Sequence, residues 1–279
     1  MQTQLSAQEA LEQDIDYDRR FGGVARLYGK PALLRFALAH IAVVGVGGVG
    51  SWVVEALARS AIGQLTLIDL DQVAESNVNR QIQAHSASLG MAKVSALAER
   101  IRLINPLCKV TENEDFITPD NLSEFIAQPQ FDYVIDAIDD VRAKVALIAF
   151  CRQHKIPLIT IGAAGGQTDP SKIEIRDLSR TEQEPLLALV RKRLRQNHGF
   201  PRGTKNKFGI DAVFSMEAVQ MPEAEADTSC EIAALPGTAK EGISGLNCAG
   251  FGSSVVVTAS FGMLAAAHVL NKLAAGEKS

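Results

Sequence analysis

Residues 41–71, IAVVGVGGVGSWVVEALARSAIGQLTLIDLD, constrain this chain more than any other stretch. They open with an apolar run, Ile41-Ala42-Val43-Val44, that suits a buried strand. Gly45, Gly47 and Gly50 follow at once in the G-x-G-x-x-G spacing, with a further glycine at Gly48. Val49, Val53, Leu57 and Ala58 then share one face of a helix, and a second apolar run, Leu65-Thr66-Leu67-Ile68, ends in Asp69. Strand, glycine turn, helix and strand, with an acid about 20 residues beyond the glycines, predict a βαβ nucleotide-binding unit. The glycines allow a tight turn, bring backbone close to phosphate and let the helix pack near its strand. The helix N-terminus offers unpaired N–H groups and a positive dipole end to an anion. Asp69, at the tip of the second strand, is placed to accept hydrogen bonds from ribose hydroxyls. The spacing does not name the nucleotide. A nicotinamide or flavin dinucleotide is the default reading to be displaced.

Composition narrows the class. With 279 residues, 47% hydrophobic and 22% charged, the chain suits one large globular domain or a domain with an elaborated second half. A net charge of -4 gives no global basic field, so any nucleic-acid contact has to come from a local patch. Cys108, Cys151, Cys230 and Cys248 are widely spaced with no C-x-x-C pair, which argues against a zinc ribbon and a disulfide framework and for a reducing cytoplasm. Residues 1–20 are polar and acidic and lack the apolar core of a signal peptide. Residues 250–270 carry no charge and are long enough to span a bilayer. Gly252, Ser253, Ser254, Thr258, Ser260, Gly262 and His268 within them suit a tightly packed buried helix better than lipid.

Taken in order, residues 1–19 read as a mobile lead, and residues 19–39 as one or two short helices, with Pro31 tolerated in the first turn of the second. Beyond the βαβ unit, residues 70–81 form a polar loop at the carboxyl edge of a strand, where doubly wound sheets bind ligands. Residues 90–104 have the spacing of an amphipathic helix, with Lys93 in its first turn. A cation there opposes the helix dipole, which a solvated lysine tolerates and a bound phosphate would make favourable. Strands are expected at 108–111, 133–135 and 157–161, and a helix at 145–151. Asp136, Asp139 and Asp140 at the end of the 133–135 strand suit a magnesium or nucleotide site. The glycine-rich residues 162–166 let backbone pass close to a ligand. Further strands are expected at 172–176 and 212–219 and a helix at 184–196, before a loop-like 221–247 and the apolar C-terminal helix. The fold class is therefore α/β, a Rossmann-like, doubly wound, mainly parallel sheet with an elaborated C-terminal half. Arg191, Lys192, Arg193, Arg195, Arg202, Lys205 and Lys207, with His198, form a basic run. It reads either as a solvated helix face or as a patch that tracks an RNA phosphate backbone.

The ordered set Gly45-x-Gly47-Gly48-x-Gly50, Asp69-x-Asp71, Ser76-Asn77-x-x-Arg80-Gln81, Lys93 and Asp136-x-x-Asp139 resembles the ubiquitin-activating-enzyme-like adenylyltransferases. A dinucleotide site does not call for Asn77, Arg80 and Lys93, so ATP displaces it. In that family a carboxylate attacks the ATP α-phosphate and an acyl-adenylate forms as pyrophosphate leaves. The resemblance implies ATP and Mg2+ as cofactors, with the glycines, Asp69, Asp71, Asn77, Arg80, Gln81 and Lys93 at the nucleotide. It assigns Asp69 to the ribose, Asn77 and Arg80 to the phosphates, Lys93 to the triphosphate and Asp139 to the metal; Arg80, Lys93 and Asp139 are the catalytic set. Cations where charge builds on phosphate, and a metal to ease pyrophosphate departure, are what adenylation requires.

Flanking segments resemble one branch more closely: residues 20–29, 77–82, 134–142 and 162–170. It is the branch that dehydrates threonylcarbamoyladenosine in tRNA. The resemblance implies activation of the threonyl carboxylate beside the anticodon, ring closure by the carbamoyl part of the same substrate, release of AMP and net loss of water. It implies a tRNA substrate rather than DNA, a homodimer and an association with a cysteine desulfurase or sulfur-acceptor system. Residues 20–279 would form the adenylation domain, with the nucleotide core at about 40–165 and a substrate and dimer elaboration at about 166–279. Substrate contacts fall on Arg20, Arg191, Arg193 and Arg195. Many relatives place an arginine before the first strand that reaches into the partner's ATP site; its equivalent in this chain, counting back from Gly29, is Gly23, so Arg20 or Arg26 would have to serve. The alternative is a sulfur-carrier adenylyltransferase acting on a C-terminal Gly-Gly, a branch that often holds zinc on two C-x-x-C pairs, which this chain lacks.

Overall fold

The computed structural model describes residues 15–127, 130–203, 206–220 and 251–276. Most of the 1–19 lead, the 221–247 loop, Lys205, Cys230 and Cys248 lie outside the described residues. The described chain starts with two helices, α1 (Tyr17–Tyr28) and α2 (Lys30–Leu38), the second with Pro31 in its first turn as expected. β1 (His40–Val44), α3 (Gly50–Arg59) and β2 (Gln64–Ile68) form the βαβ unit. α4 (Lys93–Ile104), β3 (Lys109–Asn113), β4 (Tyr133–Asp136), α5 (Val141–His154) and β5 (Leu158–Ile161) follow. β6 (Ile173–Asp177), α6 (Pro185–Asn197), β7 (Asp211–Ser215) and α7 (Val255–Ala275) complete the fold.

The sheet has seven strands in the order β3-β2-β1-β4-β5-β7-β6. All pairs are parallel except β6 with β7. A parallel sheet is covered on both faces, and its strands therefore read as continuous apolar runs. Strand alternation divides them between two cores. Ile41, Val43, Leu65, Leu67 and Ile135 pack with α2, α3, α4 and α7 on one face. Ala42, Val44, Ile68, Val134 and Phe214 pack with α5 and α6 on the other.

The C-terminal apolar helix belongs to the first core. Val257, Phe261, Ala265, Ala266 and Val269 of α7 are buried at helical spacing. It crosses α3 closely because Gly262 has no side chain: a Cβ there would lie 2.6 Å from the Val49 carbonyl oxygen. The same helix is the one among the described residues long and apolar enough to cross a membrane, and its buried face makes it a core helix.

Three expected boundaries are corrected. The helix expected over 90–104 begins at Lys93, because the backbone before it is committed elsewhere. Gly90 has φ +81° and donates to the Val73 carbonyl, and Met91 accepts from Val73 N. The strand expected over 212–219 ends at Ser215, whose hydroxyl accepts from Glu217 N while Met216 N turns to the Lys172 carbonyl. The apolar helix starts at Val255 rather than at 250.

Candidate active site

The carboxyl ends of β1, β2, β4 and β5 surround a cavity of about 610 Å3. It lies between β1 and β4, where the strand order reverses and doubly wound sheets take their ligands. The residues expected at the nucleotide or metal line it, except Gly50, which acts from behind, and Asp136, whose side chain is buried elsewhere. A Cβ on Gly50 would lie 1.9 Å from the Gly45 carbonyl oxygen. Gly45 itself has φ +82°, and a Cβ there would meet the Ala137 carbonyl at 2.8 Å. These two glycines let the turn close, while Gly47 and Gly48 keep its cavity side bare. Val49 caps α3 without a side-chain hydrogen bond; Ser51 N and Trp52 N donate to the Gly47 and Val49 carbonyls, so the helix offers an anion chiefly the positive end of its dipole, behind the glycine turn.

Asp69, Asp71 and Lys93 form one cluster. Asp69 Oδ2 accepts from Val46 N at 2.8 Å and its Oδ1 from Asp71 N at 2.9 Å, which ties the glycine turn to the end of β2. Lys93 Nζ is 2.6 Å from Asp71 Oδ2 and 3.9 Å from Asp69 Oδ1. Burial pushes the Asp69 carboxyl above the ordinary carboxylate range, with the Lys93 ammonium opposing it. The charge of Lys93 is therefore offset by carboxylates already, at a helix start where the dipole disfavours it.

The polar loop after β2 places the next residues. Asn77 Oδ1 accepts from Ala74 N at 3.0 Å and shapes a 3-10 turn, Glu75–Asn77. Arg80 lies against Gly48, its guanidinium donating to the Ser76 carbonyl at 2.7 Å and to Asn79 Oδ1 at 3.0 Å. Trp52 of α3 donates to the Arg80 carbonyl at 2.9 Å. Gln81 accepts from Gln83 Nε2, which also donates to the Val46 carbonyl, each at 3.1 Å. Gln83 was not expected in the site, and its role as a brace of the glycine turn has no local sequence signal.

The three acids after β4 separate into different roles. Asp136 is a correction: its side chain is fully buried and 2.9 Å from the equally buried Lys144 Nζ, so it is no metal ligand. Asp140 caps α5, accepting from Ala143 N at 2.7 Å. Asp139 is exposed and lines the cavity. No cluster of three metal-binding side chains occurs among the described residues. Magnesium fits the site only in its usual manner, through one or two carboxylates and the phosphates of a bound nucleotide.

Residues 162–165 line the cavity opposite, as their glycines suggested. Buried Glu184, the N-cap of α6, accepts from Ala163 N at 3.0 Å, and burial raises its carboxyl above the usual range. Cys108 and Cys151 are buried, which pushes both thiols up to about 12 and leaves them without thiolate character at neutral pH.

The expected substrate arginines are not gathered at the cavity. Arg20 donates to the Ile104 carbonyl at 2.9 Å, at the C-terminal end of α4, and does not line the cavity of its own chain. α6 meets the cavity at Pro185 and Leu186, and its basic turns lie farther along the helix. Arg191 donates to Thr181 Oγ1, and the Arg195 guanidinium sits 5.1 Å from the Phe208 ring centre. Both flank the buried stripe of Leu187, Val190 and Leu194, whereas Lys192 and Arg193 point to solvent.

Fold and cavity together define a nucleotide-binding adenylation domain. The chain belongs to the ThiF family, which it matches over residues 17–278. It is 53% identical over 258 residues to the tRNA threonylcarbamoyladenosine dehydratase of Escherichia coli, covering 92% of this chain and 94% of that protein. It is 49% identical over 259 residues to the Haemophilus influenzae enzyme of the same name, again covering 92% and 94%. The crystal structure of the E. coli enzyme in complex with ATP superposes with a TM-score of 0.81, covering 93% of this chain and 96% of that one.

Proposed function

We propose that this chain uses ATP to dehydrate threonylcarbamoyladenosine in tRNA, closing a ring on the modified base beside the anticodon. The observation that carries the reading is identity of 53% across 92% of the chain with an enzyme of that activity. The phosphate-suited cavity agrees with it. The substrate's threonyl carboxylate attacks the ATP α-phosphate, pyrophosphate leaves, and the carbamoyl part of the same substrate displaces AMP.

The residues divide the work as follows. The glycine turn, at the positive end of α3, takes phosphate oxygens on backbone N–H groups, and Asp69 takes the ribose. Arg80, Asn77 and Lys93 hold the triphosphate, Lys93 exchanging part of its Asp71 contact for phosphate. Asp139 holds magnesium, which supplies charge neutralisation to the departing pyrophosphate when bound. Asp71 and Gln81 keep these groups aimed. A local positive field guides the tRNA, and Lys192 and Arg193 are its exposed part on α6.

A single adenylation domain runs from residue 20, with the nucleotide core at about 40–165 and the substrate and dimer elaboration after it. The assembly we favour is a homodimer: Leu27, Leu34 and Leu38 on α1 and α2 are 77%, 63% and 76% exposed, which a second copy would cover. Arg20 would then serve the partner's cavity. A cysteine desulfurase or sulfur-acceptor system is a further associate, and the cytoplasm is the compartment where its tRNA substrate resides.

Nucleoside mass analysis tests the reaction. Incubating the protein with ATP and tRNA that carries threonylcarbamoyladenosine should lower the mass of that nucleoside by one water. An unchanged nucleoside, together with adenylation of a Gly-Gly-ending carrier protein, would transfer the chain to the sulfur-carrier branch.

A further inference from the structure

Lys144 is the most deeply buried cation among the described residues, with a fully covered side chain on α5. Its ammonium touches groups from two neighbouring strands at their carboxyl ends. Nζ lies 2.9 Å from Asp136 Oδ2 and 3.4 Å from the Asp136 carbonyl on β4. It lies 3.1 Å from Thr160 Oγ1 and 3.0 Å from the Ile161 carbonyl on β5. Thr160 in turn donates to Asp136 Oδ2 at 2.7 Å, and Asp136 Oδ1 accepts from Ile138 N at 3.1 Å. The network thus ends on both segments that frame the cavity: residues 137–140, which bear Asp139, and residues 162–165, which Glu184 grips from the other side.

A core that needed only to be filled would do better with an apolar side chain, because burying an ion pair costs desolvation that its attraction repays only with good geometry. Here the geometry is good, and it fixes two backbone carbonyls that no apolar residue would hold. We propose that Lys144 is a positioning residue for adenylation, setting the segment that carries Asp139 against residues 162–165. It touches no ligand and acts through those strand ends. The inference rests on the adenylation reading above.

Two variants separate positioning from charge balance. Lys144→Met leaves Asp136 buried without its partner and is expected to be less stable. The double variant Lys144→Met with Asp136→Asn has nearly the same volumes and removes both charges of the pair, so it regains thermal stability. ATP binding by calorimetry and single-turnover adenylation at saturating ATP and modified tRNA are measured on folded protein at low temperature. The wild-type enzyme's own turnover in this assay tests the adenylation reading separately. Positioning predicts that the double variant binds ATP within about threefold of wild type yet turns over at least tenfold more slowly, since misplacement near 1 Å can cost up to about 10²-fold. Wild-type turnover by the stable double variant would overturn the inference, as would weakened ATP binding with unchanged turnover. If the double variant fails to fold, Thr160→Val, which keeps the ion pair and removes one bridge, serves in its place. It should slow turnover without weakening ATP binding, and unchanged turnover would again overturn the inference.

Discussion

Replacing Lys93 with methionine tests the charge cluster at the nucleotide site directly. The ammonium is buried, 2.6 Å from Asp71 Oδ2 and 3.9 Å from Asp69 Oδ1. Losing one partner of a buried ion pair typically costs about 3–5 kcal/mol because a charge is left behind. Asp71 is more than half exposed and can turn to water, and Asp69 keeps its N–H contacts from Val46 and Asp71. The cost therefore falls below that range, at about 2 kcal/mol. At about 2–4 °C per kcal/mol for a domain of this size, Tm should drop by about 4–8 °C near neutral pH.

The same variant has a pH signature. Burial already raises the Asp69 carboxyl, and Lys93 is what pulls it back. Removing Lys93 raises it further. An acid whose folded pKa is raised contributes stability that is fully present below its unfolded pKa and lost as pH rises through the folded value. The Tm deficit of Lys93→Met should accordingly be largest near neutral pH and shrink as the pH falls towards the carboxylate range, where Asp69 takes up a proton. For ATP, the lost bond to a charged phosphate is worth about 1.5–3 kcal/mol, or about 10–150-fold in Kd. Scanning calorimetry at several pH values and ATP titration decide the matter. A Tm deficit that grows on acidification would refute the electrostatic reasoning, and ATP affinity within threefold of wild type would remove Lys93 from the triphosphate.

Asp139→Ala should lower kcat by about 10²-fold or more with the circular dichroism spectrum unchanged, because a metal matters most as pyrophosphate leaves; near-normal turnover would take Asp139 out of the site. Cys230→Ser and Cys248→Ser, made separately, should each leave cyclisation intact, since the substrate's own carbamoyl part captures the adenylate; a reducible adduct at either cysteine would show a thioester step instead. Changing Lys192 and Arg193 together to glutamine should weaken tRNA binding and flatten its salt dependence without altering ATP affinity. Arg191→Gln should chiefly lower Tm, because that guanidinium is engaged with Thr181. Unaltered tRNA affinity in the double variant would make the α6 run a solvated face.

What was legible in the sequence was local and periodic. Residues 41–44 and 65–68 form strands, and Gly45 and Gly50 sit where any Cβ would collide. Lys93 stood out because a cation in a first helical turn needs a reason, although the structure adds Asp71 to the phosphate as that reason. Asp136 misled for the converse cause. Three acids at the end of one strand look alike in sequence, and only the packing of Lys144 on α5 and Thr160 on β5 around Asp136 separates the buried one from the cavity-facing one. The helix expected over 145–151 starts at Val141, which puts Lys144 on its apolar face, three residues after Val141 and four before Ile148, but that spacing does not show what the ammonium meets. The basic run is divided in a way its sequence spacing did not emphasise: Arg191, Arg193 and Arg195 are neighbours in sequence, but one turn of α6 puts Arg193 opposite to the other two.

The residues that sequence reasoning missed have a common role. Gln83 holds the Val46 carbonyl, Glu184 holds Ala163 N, and Lys144 with Asp136 holds the ends of β4 and β5. Each grips backbone, none is assigned to a ligand, and all are buried. A nucleophilic displacement at phosphorus asks little covalent chemistry of a protein and much alignment, so its rate depends on how firmly the donors are held. Backbone N–H groups of a glycine turn can be aimed only by fixing the turn. Here that is done from below by Asp69 and Gln83 and from the side by α3, against which Gly262 lets α7 lie close. A change at Gly262 would thus reach the phosphate turn through Val49, although residue 262 is far from it in sequence and touches no nucleotide.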